Sequence, residues 1–354
     1  MCPYTNDCFL SPLPQRKGEG LEVRFPMPTL PMTPLGKTGL RVTNLCLGGA
    51  PLGNMPETFA YAVPEERALE TVRALLDSPI NFIDTAASYG DGEGERRIGI
   101  VLKERGGLPA GYVLDSKADR DLQTGDFSGD QIRRSVERSL RLLTLDSIQL
   151  MHLHDPEHTT FEAAMAPGGP VEVLQRMKEE GLIHALGVAG GPIDMEIRYV
   201  ETGLFDAVIT HNRYTLLDQT ADPLLTIAHE RGLGVLNAAP YGSGILAKGP
   251  DVYPRYQYQQ APPAMIAQTK RLDAVCQQHG VSLRVAALHF SLRDPRIHST
   301  IVGMTRPERV PQAVEDALTL VPDALWEELA PLIADYNQTH SAFEDTRYTL
   351  PEGH

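Results

Sequence analysis

Residues 112–154 read YVLDSKADRDLQTGDFSGDQIRRSVERSLRLLTLDSIQLMHLH, and the fold can be predicted from this stretch outward. An apolar run, YVLDSK, opens the stretch, and a second apolar run, SIQLMHLH, closes it. The segment between them carries apolar residues at helical spacing, with arginines in between: Ile132, Val136, Leu140 and Leu143. This pattern predicts a strand, an amphipathic helix and a second strand.

The same alternation continues along most of the chain. Eight short apolar runs are predicted strands, and most are separated by about the length of one strand-helix unit. Strands that are buried on both faces and followed by helices form parallel sheets, and eight such units favour a closed barrel over an open sheet. The sequence therefore predicts an α/β protein with a (β/α)8 barrel, also called a TIM barrel. The predicted strands begin near Asn44, Asn81, Tyr112, Ser147, Ala185, Ala207, Leu233 and Thr300.

The first strand-to-helix turn also argues against an open, doubly wound sheet. It reads LGGAPLGN, which departs from G-x-G-x-x-G, and no acidic residue follows at the expected offset. A nicotinamide cofactor is therefore expected to bind without a Rossmann domain. We expect an irregular, proline-rich N-terminal arm over residues 1–30, a single barrel over residues 31–340 and a C-terminal tail over residues 341–354.

The chain is acidic, with a formal net charge of -14 at pH 7 and a pI of about 5.2. This balance argues against a nucleic-acid partner and against binding to an anionic membrane surface. The cysteines show neither CxxC nor metal-ligand spacing, which suits a reducing compartment. No apolar run is long enough to span a membrane, and the N-terminus lacks the pattern of a secretion signal. We therefore expect a cytoplasmic protein that holds no metal.

Four ionisable residues fall where predicted strands end, which is the edge of a barrel at which active sites are built. Reducing a carbonyl by hydride transfer needs a proton donor, but a tyrosine with the usual pKa of about 10 holds its proton tightly. A lysine ammonium beside the phenol would favour the phenolate, and an aspartate would keep that lysine charged. A histidine would position the carbonyl oxygen. Asp84 ends the second strand, Tyr89 lies in the loop that follows, Lys117 ends the third strand and His154 ends the fourth.

Each of these residues also has a simpler interpretation. Asp84 alone is as readily a turn former or a helix cap, and Lys117 alone commonly pairs with a surface acid. His152 and His158 are rivals of His154, since alternation along the strand points His152 and His154 to the same face. Four such residues at successive strand ends indicate catalysis more strongly than any one of them.

Long ordered motifs make the chain resemble the aldo-keto reductase family from Leu35 to about Ala317. They include LGKTGLRVTNLCLGGAPLGN, FIDTAASYGDGEGERRIG, SIQLMHLHDPE and IVGMTRPERV. Shorter pieces, among them RYTLLDQ and APPAMIAQ, are most similar to the D-threo-aldose 1-dehydrogenase (L-fucose dehydrogenase) subgroup, with pyridoxal 4-dehydrogenase as a near relative. The resemblance implies a catalytic tetrad in which the tyrosine is the acid and base: Asp84, Tyr89, Lys117 and His154.

The resemblance also implies contacts with NADP or NAD at the ends of several strands. Arg309 would meet a 2′-phosphate or stack on adenine, and Gly303 stands where some NADP-using relatives carry a lysine, so both cofactors stay open. Where many members carry a Ser-Asn pair and a glutamine around the nicotinamide, this chain has Ala189, Gly190 and His211. The implied contacts are Gly49, Ala50, Asp84, Ala189, Gly190, His211, Pro240, Tyr241, Gly242, Ser243, Gly244, Ile245, Leu246, Gly303, Met304, Thr305 and Arg309.

The resemblance implies oxidation of an aldose at C1 to the lactone, or reduction of a small aldehyde, with a small polar carbonyl compound or sugar as the partner. The oligomeric state stays open. A metal-dependent barrel hydrolase is a competing interpretation. Its ligands could be His152, His154, Asp155, His158 and His211, with Asp84. Such sites usually draw His-x-His from the first strand, which reads NLCLGG here. A regulatory subunit that binds the cofactor without turnover is a third interpretation, and the four filled tetrad positions argue against it.

Overall fold

The computed structural model describes residues 29–339. The predicted C-terminal tail lies outside the described residues, and so does the predicted N-terminal arm apart from residues 29 and 30. The bounds of the single predicted domain therefore stay a prediction.

Within residues 29–339, eight parallel strands close into a barrel, and each of the eight predicted strands is one of them. In chain order the strands are β1 (Met32–Pro34), β2 (Arg41–Thr43), β3 (Leu45–Gly48), β4 (Phe82–Asp84), β5 (Val113–Ala118), β6 (Ile148–His154), β7 (Ile183–Ala189), β8 (Ala207–His211), β9 (Gly234–Ala238), β10 (Arg255–Tyr256), β11 (Gln259–Gln260) and β12 (Ser299–Gly303). The barrel order runs β12-β3-β4-β5-β6-β7-β8-β9. The predicted (β/α)8 barrel is confirmed.

Helices separate the barrel strands in the chain, and their apolar faces pack on the outside of the barrel. They are α1 (Pro56–Phe59), α2 (Glu65–Leu76), α3 (Glu93–Glu104), α4 (Gly129–Leu143), α5 (Phe161–Ala164), α6 (Pro170–Glu179), α7 (Ile193–Glu201), α8 (Asp222–Glu230), α9 (Ile245–Lys248), α10 (Pro263–Gln278), α11 (Leu283–Leu292), α12 (Arg309–Leu318) and α13 (Asp323–Thr339). Among the helices of residues 29–339, none combines the length and the apolar character that a membrane span requires.

Helix α4 shows how the sequence pattern becomes packing. Ser128 precedes the helix, and its hydroxyl oxygen accepts a hydrogen bond from the backbone N–H of Gln131 at 3.3 Å, which caps the first turn. The predicted apolar stripe faces inward, so that Ile132, Val136 and Leu143 are fully buried against the barrel. The helix predicted between the third and fourth barrel strands is confirmed.

A two-stranded antiparallel sheet formed by β1 and β2 lies at the end of the barrel where the strands begin. Leu35 and Val42 from this segment are fully buried in the apolar cluster that fills the barrel interior. Gly36 has a φ of +49°, and a Cβ atom there would lie 2.3 Å from the backbone nitrogen of Gly234. The β1–β2 segment therefore closes this end and leaves the opposite end for chemistry.

The longest interval between barrel strands, from β9 to β12, contains a loop rich in Tyr, Gln and Pro over residues 251–263. The loop itself forms the β10–β11 hairpin, and α10 and α11 follow it. Apolar faces of α10, α11 and α13 form a second core cluster beside the barrel. The hairpin loop reaches across the open end, where Tyr258 packs edge-on against Phe59 with ring centroids 5.4 Å apart.

Candidate active site

The predicted tetrad converges at the end of the barrel where the strands finish. Asp84 is the last residue of β4, Lys117 lies near the end of β5, and His154 is the last residue of β6. Tyr89 lies in the loop that joins β4 to α3. All four side chains line one cavity of about 690 Å³. The structure thus brings the four side chains together in one pocket, and their catalytic roles stay a prediction.

Lys117 connects the members of this group. Its ammonium is 3% exposed and forms a salt bridge with the carboxylate of Asp84. It also donates hydrogen bonds to the carbonyl oxygen of Thr85 at 2.7 Å and to the hydroxyl of Tyr89 at 3.1 Å. An ammonium carries three protons, so these three acceptors satisfy it fully. The lysine is thus held with one proton directed at the phenol oxygen.

Burial and charge act in opposite directions on this pair. Burial alone would lower the pKa of the Lys117 ammonium, but the negative charge of Asp84 reverses this effect and the net pKa is raised. Burial raises the pKa of the Tyr89 phenol, and the ammonium of Lys117 offsets only part of that rise. At neutral pH the site therefore holds a charged lysine beside a protonated phenol, which is a proton donor in position.

His154 has a buried partner that the sequence analysis missed. Its Nδ1 lies 2.7 Å from a carboxylate oxygen of Asp119, which is only 3% exposed. Burial alone would lower the pKa of His154, but the charges of Asp119 and Asp155 together with the hydrogen bond to Asp119 raise it overall. The available signal was the spacing of Asp119 two residues after Lys117, since alternate residues of an extended segment share a face.

The rival histidines of the sequence analysis do not reach the cavity. His152 is fully buried on the barrel side of β6, and neither ring nitrogen has a hydrogen-bond partner among residues 29–339. Burial lowers its pKa far below the ordinary value, so the ring stays neutral. His158 lies in the turn after β6, outside the residues that line the cavity. Within residues 29–339, no group of three or more His, Cys, Asp or Glu side chains is placed to hold a metal ion.

Glycine allows the Tyr89 loop to pack tightly. Gly90 has a φ of +62°, and a Cβ atom there would lie 2.0 Å from the carbonyl oxygen of Gly53. On the other side, the backbone N–H of Ser88 donates to a carboxylate oxygen of Asp119 at 2.8 Å. The loop is thus fixed between the β3 end and the β5 end, which sets the position of the Tyr89 phenol.

Most of the predicted cofactor contacts line the same cavity, and four do not. Gly49 lies behind the cavity wall, where its N–H donates to the carbonyl oxygen of Asp84 at 2.7 Å. Ile245 and Leu246 are fully buried in the second core cluster, and Gly242 is also outside the lining. The predicted contacts that line the cavity, besides Asp84, are Ala50, Ala189, Gly190, His211, Pro240, Tyr241, Ser243, Gly244, Gly303, Met304, Thr305 and Arg309.

The part of the cavity remote from Tyr89 has the chemistry of a site for an anion. Lys248, Arg306 and Arg309 line it together. Burial and the nearby charges of Arg309 and Arg306 lower the pKa of Lys248, which indicates that positive charges are crowded there. A pyrophosphate would relieve this repulsion, and the cavity continues from there to the tetrad. These residues fit a dinucleotide whose phosphates lie at the basic end.

Aromatic residues form the wall of the cavity where the family pattern is altered. His211 stacks on Tyr258 with ring centroids 5.8 Å apart, and its Nε2 lies 3.1 Å from the Tyr258 hydroxyl. Tyr258 comes from the long loop after β9, so this contact joins segments far apart in the sequence. Ala238 also lines the cavity.

Comparison with known proteins agrees with this arrangement. The family model described as the aldo/keto reductase family matches residues 44–330. D-threo-aldose 1-dehydrogenase of Pseudomonas sp is 32% identical over 319 residues, which cover 82% of this chain and 94% of that protein. Pyridoxal 4-dehydrogenase of Microbacterium luteolum is 30% identical over 333 residues, which cover 83% of this chain and 95% of that protein.

A solved structure also shares the fold. An aldo-keto reductase from Bacillus halodurans matches with a TM-score of 0.71 at 21% identity, over 90% of this chain and 100% of that chain. The likeness extends over the closed barrel that carries the cavity. Since the family model matches most of the sequence, the chain belongs to the aldo/keto reductase family.

Proposed function

We propose that Tyr89 is the proton donor and acceptor of this enzyme, supported by Lys117, Asp84 and His154. As a member of the aldo/keto reductase family, the chain is an NAD(P)-dependent oxidoreductase that interconverts a carbonyl and an alcohol. One observation carries the assignment of roles. The Lys117 ammonium contacts both the Asp84 carboxylate and the Tyr89 hydroxyl inside a cavity that continues to a basic end.

In reduction, the Tyr89 hydroxyl donates its proton to the carbonyl oxygen of the substrate as negative charge develops there. The phenolate that remains is stabilised by the Lys117 ammonium at hydrogen-bond distance, and Asp84 keeps that ammonium charged. In oxidation the same group accepts the proton of the substrate hydroxyl. In both directions the Tyr89 oxygen gives or takes the proton, while Lys117 keeps its three protons.

His154 supplies the second hydrogen bond to the substrate oxygen. Its Nδ1 is occupied by Asp119, so only a protonated imidazole can also donate from Nε2 toward the cavity. The charge of Asp119 favours this protonated form. His154 and Tyr89 lie with ring centroids 6.1 Å apart and edge to face, and both line the same cavity, so we propose that both hydrogen-bond one substrate atom.

The cofactor would lie along the rest of the cavity. When bound, the nicotinamide supplies the hydride for reduction or accepts it in oxidation. Lys248, Arg306 and Arg309 would hold the phosphate groups, and Ala189, Gly190 and His211 would line the nicotinamide end. The small side chains at positions 189 and 190 leave room there for a ring against the end of β7.

The substrate class that we propose is an aldose, oxidised at the C1 hydroxyl to the lactone, or a small polar aldehyde in the reverse direction. Two relatives of matched length are named for aldose and pyridoxal oxidation, which are reactions of small polar rings. The cavity rim near Tyr89 combines the aromatic residues Phe59, Tyr61 and Tyr258 with polar groups. Such a rim suits a sugar or a pyridoxal-like ring, which has apolar faces and hydroxyl edges.

We also propose that the enzyme works in the cytoplasm on small molecules, without a nucleic-acid or membrane partner. The acidic net charge of -14 and the two buried free thiols, Cys46 and Cys276, support this proposal.

A substrate panel tests the proposed function. Aldoses, pyridoxal and simple aldehydes are each assayed with NAD(H) and NADP(H), and the absorbance of the reduced nicotinamide is followed. We expect turnover of at least one aldose or small aldehyde with one of the two cofactors. Absence of turnover together with absence of cofactor binding would contradict the proposal.

A further inference from the structure

Asp115 is a buried acid beneath the tetrad that the proposed mechanism does not use. It lies on β5 two residues before Lys117, so both side chains point into the barrel. The strand register places its Cα directly opposite that of Asp84 on β4. Asp115 is fully buried and lies outside the residues that line the cavity, so no substrate or solvent reaches it.

The surroundings of Asp115 do not suit a charged carboxylate. Among the described residues, neither side-chain oxygen has a hydrogen-bond partner of good geometry. The nearby backbone N–H of Thr85 donates to the main-chain carbonyl oxygen of Asp115 at 3.1 Å. A buried carboxylate without donors is strongly unfavourable, whereas a protonated carboxyl needs only one acceptor. Three ionisable side chains face it from the surrounding strands: Asp84 on β4, Lys117 on its own strand and Cys46 on β3.

The charges of these neighbours favour the protonated form. Burial raises the pKa of Asp115, the negative charge of Asp84 raises it further, and Lys117 counteracts only part of this rise. Burial also raises the pKa of the Cys46 thiol, so that thiol stays neutral. The Asp84 carboxylate faces Asp115 and can accept a hydrogen bond from the protonated Asp115 carboxyl.

We infer that Asp115 is a protonated carboxylic acid that donates a hydrogen bond to the Asp84 carboxylate and so positions the partner of Lys117. The inference rests on the proposed function of the tetrad. By sharing the negative charge of Asp84, the Asp115 hydroxyl leaves more of the ammonium charge of Lys117 available to the Tyr89 phenolate. Asp115 is thus a positioning residue that acts through Asp84 and does not touch the substrate.

Three side chains of nearly equal shape test this role. Asp115→Asn keeps a hydrogen-bond donor, while Asp115→Leu keeps the branching at Cγ in a larger side chain and removes the donor. We expect the Asn variant to retain kcat within about twofold and the Leu variant to lose about tenfold or more. In the oxidation direction, the pKa that governs kcat/KM should stay at its wild-type value for Asn and rise for Leu, because the phenolate loses stabilisation. Equal behaviour of the two variants, whether both active or both impaired, would overturn the inference.

An infrared measurement tests the protonation without relying on turnover. The wild-type minus Asp115→Asn difference spectrum at neutral pH should show the carbonyl stretch of a protonated carboxylic acid, with the other buried acids cancelling. A carboxylate band in its place would overturn the inference.

A Tyr89→Phe variant, assayed beside Asp115→Asn and Asp115→Leu, separates the role of Asp115 from the proposed function. If Tyr89→Phe loses turnover while the Leu variant matches the Asn variant, the proposed function stands and only the role of Asp115 fails.

Discussion

At the scale of single residues, the site depends on which buried charges have partners. Lys117 satisfies three acceptors with three protons, and the pKa of His154 is raised because the Asp119 carboxylate lies against it. The grouping of the tetrad could be predicted from sequence, since Asp84, Lys117 and His154 lie at or near the ends of successive strands and Tyr89 lies in the loop after the first of them. The roles of Asp119 and Asp115 could not be predicted. Their two-residue spacing places them on the same face as Lys117, but the sequence does not show whether that face meets the barrel interior or a surface helix.

Replacing Asp119 by asparagine should move the pH dependence of reduction. The carboxylate raises the pKa of His154, and a neutral amide of the same shape would let it fall. Protonated His154 is the donor in our account, so kcat/KM for reduction should decline with rising pH at a lower pH in Asp119→Asn than in wild type. Superimposable pH profiles for the two enzymes would show that His154 acts without Asp119. Asp121→Asn, a matched change at a partly exposed residue nearby, should leave the profile unchanged.

At the scale of helices and strands, apolar runs predicted the eight barrel strands because each is buried on both faces. The β1–β2 segment and the helices after β10–β11 were harder to predict from the sequence, because contacts with distant parts of the chain stabilise them. The burial of Glu95 could not be predicted from the sequence either. A glutamate in the first turn of a helix is normally solvent-exposed, but on α3 it is fully buried and accepts a hydrogen bond from Ser116 at 2.6 Å.

Glu95→Gln should stabilise the protein above neutral pH. Burial raises the pKa of Glu95 to about 7, so between its ordinary value of 4.5 and that pH the folded state binds more protons than the unfolded state. The free energy of unfolding attributable to this group therefore falls as pH rises through that window. Glutamine removes the titration, and the gain should be small at pH 4.5 and reach up to about 3 kcal/mol at pH 8.

Urea unfolding at both pH values measures this difference. Glu137→Gln on the exposed face of α4 is the control, since its surface ion pair with Arg133 should contribute about 0.5 kcal/mol or less at either pH. A Glu95→Gln variant that is less stable than wild type at pH 8 would show that the buried carboxylate is stabilising.

At the scale of the whole molecule, the two ends of the barrel have different tasks. The β1–β2 segment seals one end with apolar side chains, while the ionisable groups of the tetrad lie at the other. The closed barrel followed from counting strand-helix units in the sequence. The cavity wall contributed by Tyr258 did not, because that loop reaches the site only through tertiary packing.

Leu35→Ala should destabilise the protein without changing how it binds substrate. Leu35 is fully buried in the barrel interior, and truncating such a side chain costs about 3 kcal/mol of unfolding free energy. KM and kcat at a temperature where the variant is folded should match wild type. Leu320→Ala is the control, since Leu320 is 94% exposed and should contribute almost nothing. A raised KM in Leu35→Ala would mean that the two ends are coupled.

The most direct test of the account is single-turnover hydride transfer in Tyr89→Phe, with the best substrate of the panel and saturating cofactor. Phenylalanine keeps the ring and removes only the hydroxyl, so cofactor affinity should stay near the wild-type value while the rate falls about 100-fold or more. Tyr112→Phe, whose hydroxyl donates to the carbonyl oxygen of Leu76 away from the cavity, should react at the wild-type rate. A Tyr89→Phe enzyme that transfers hydride as fast as wild type would contradict the central claim.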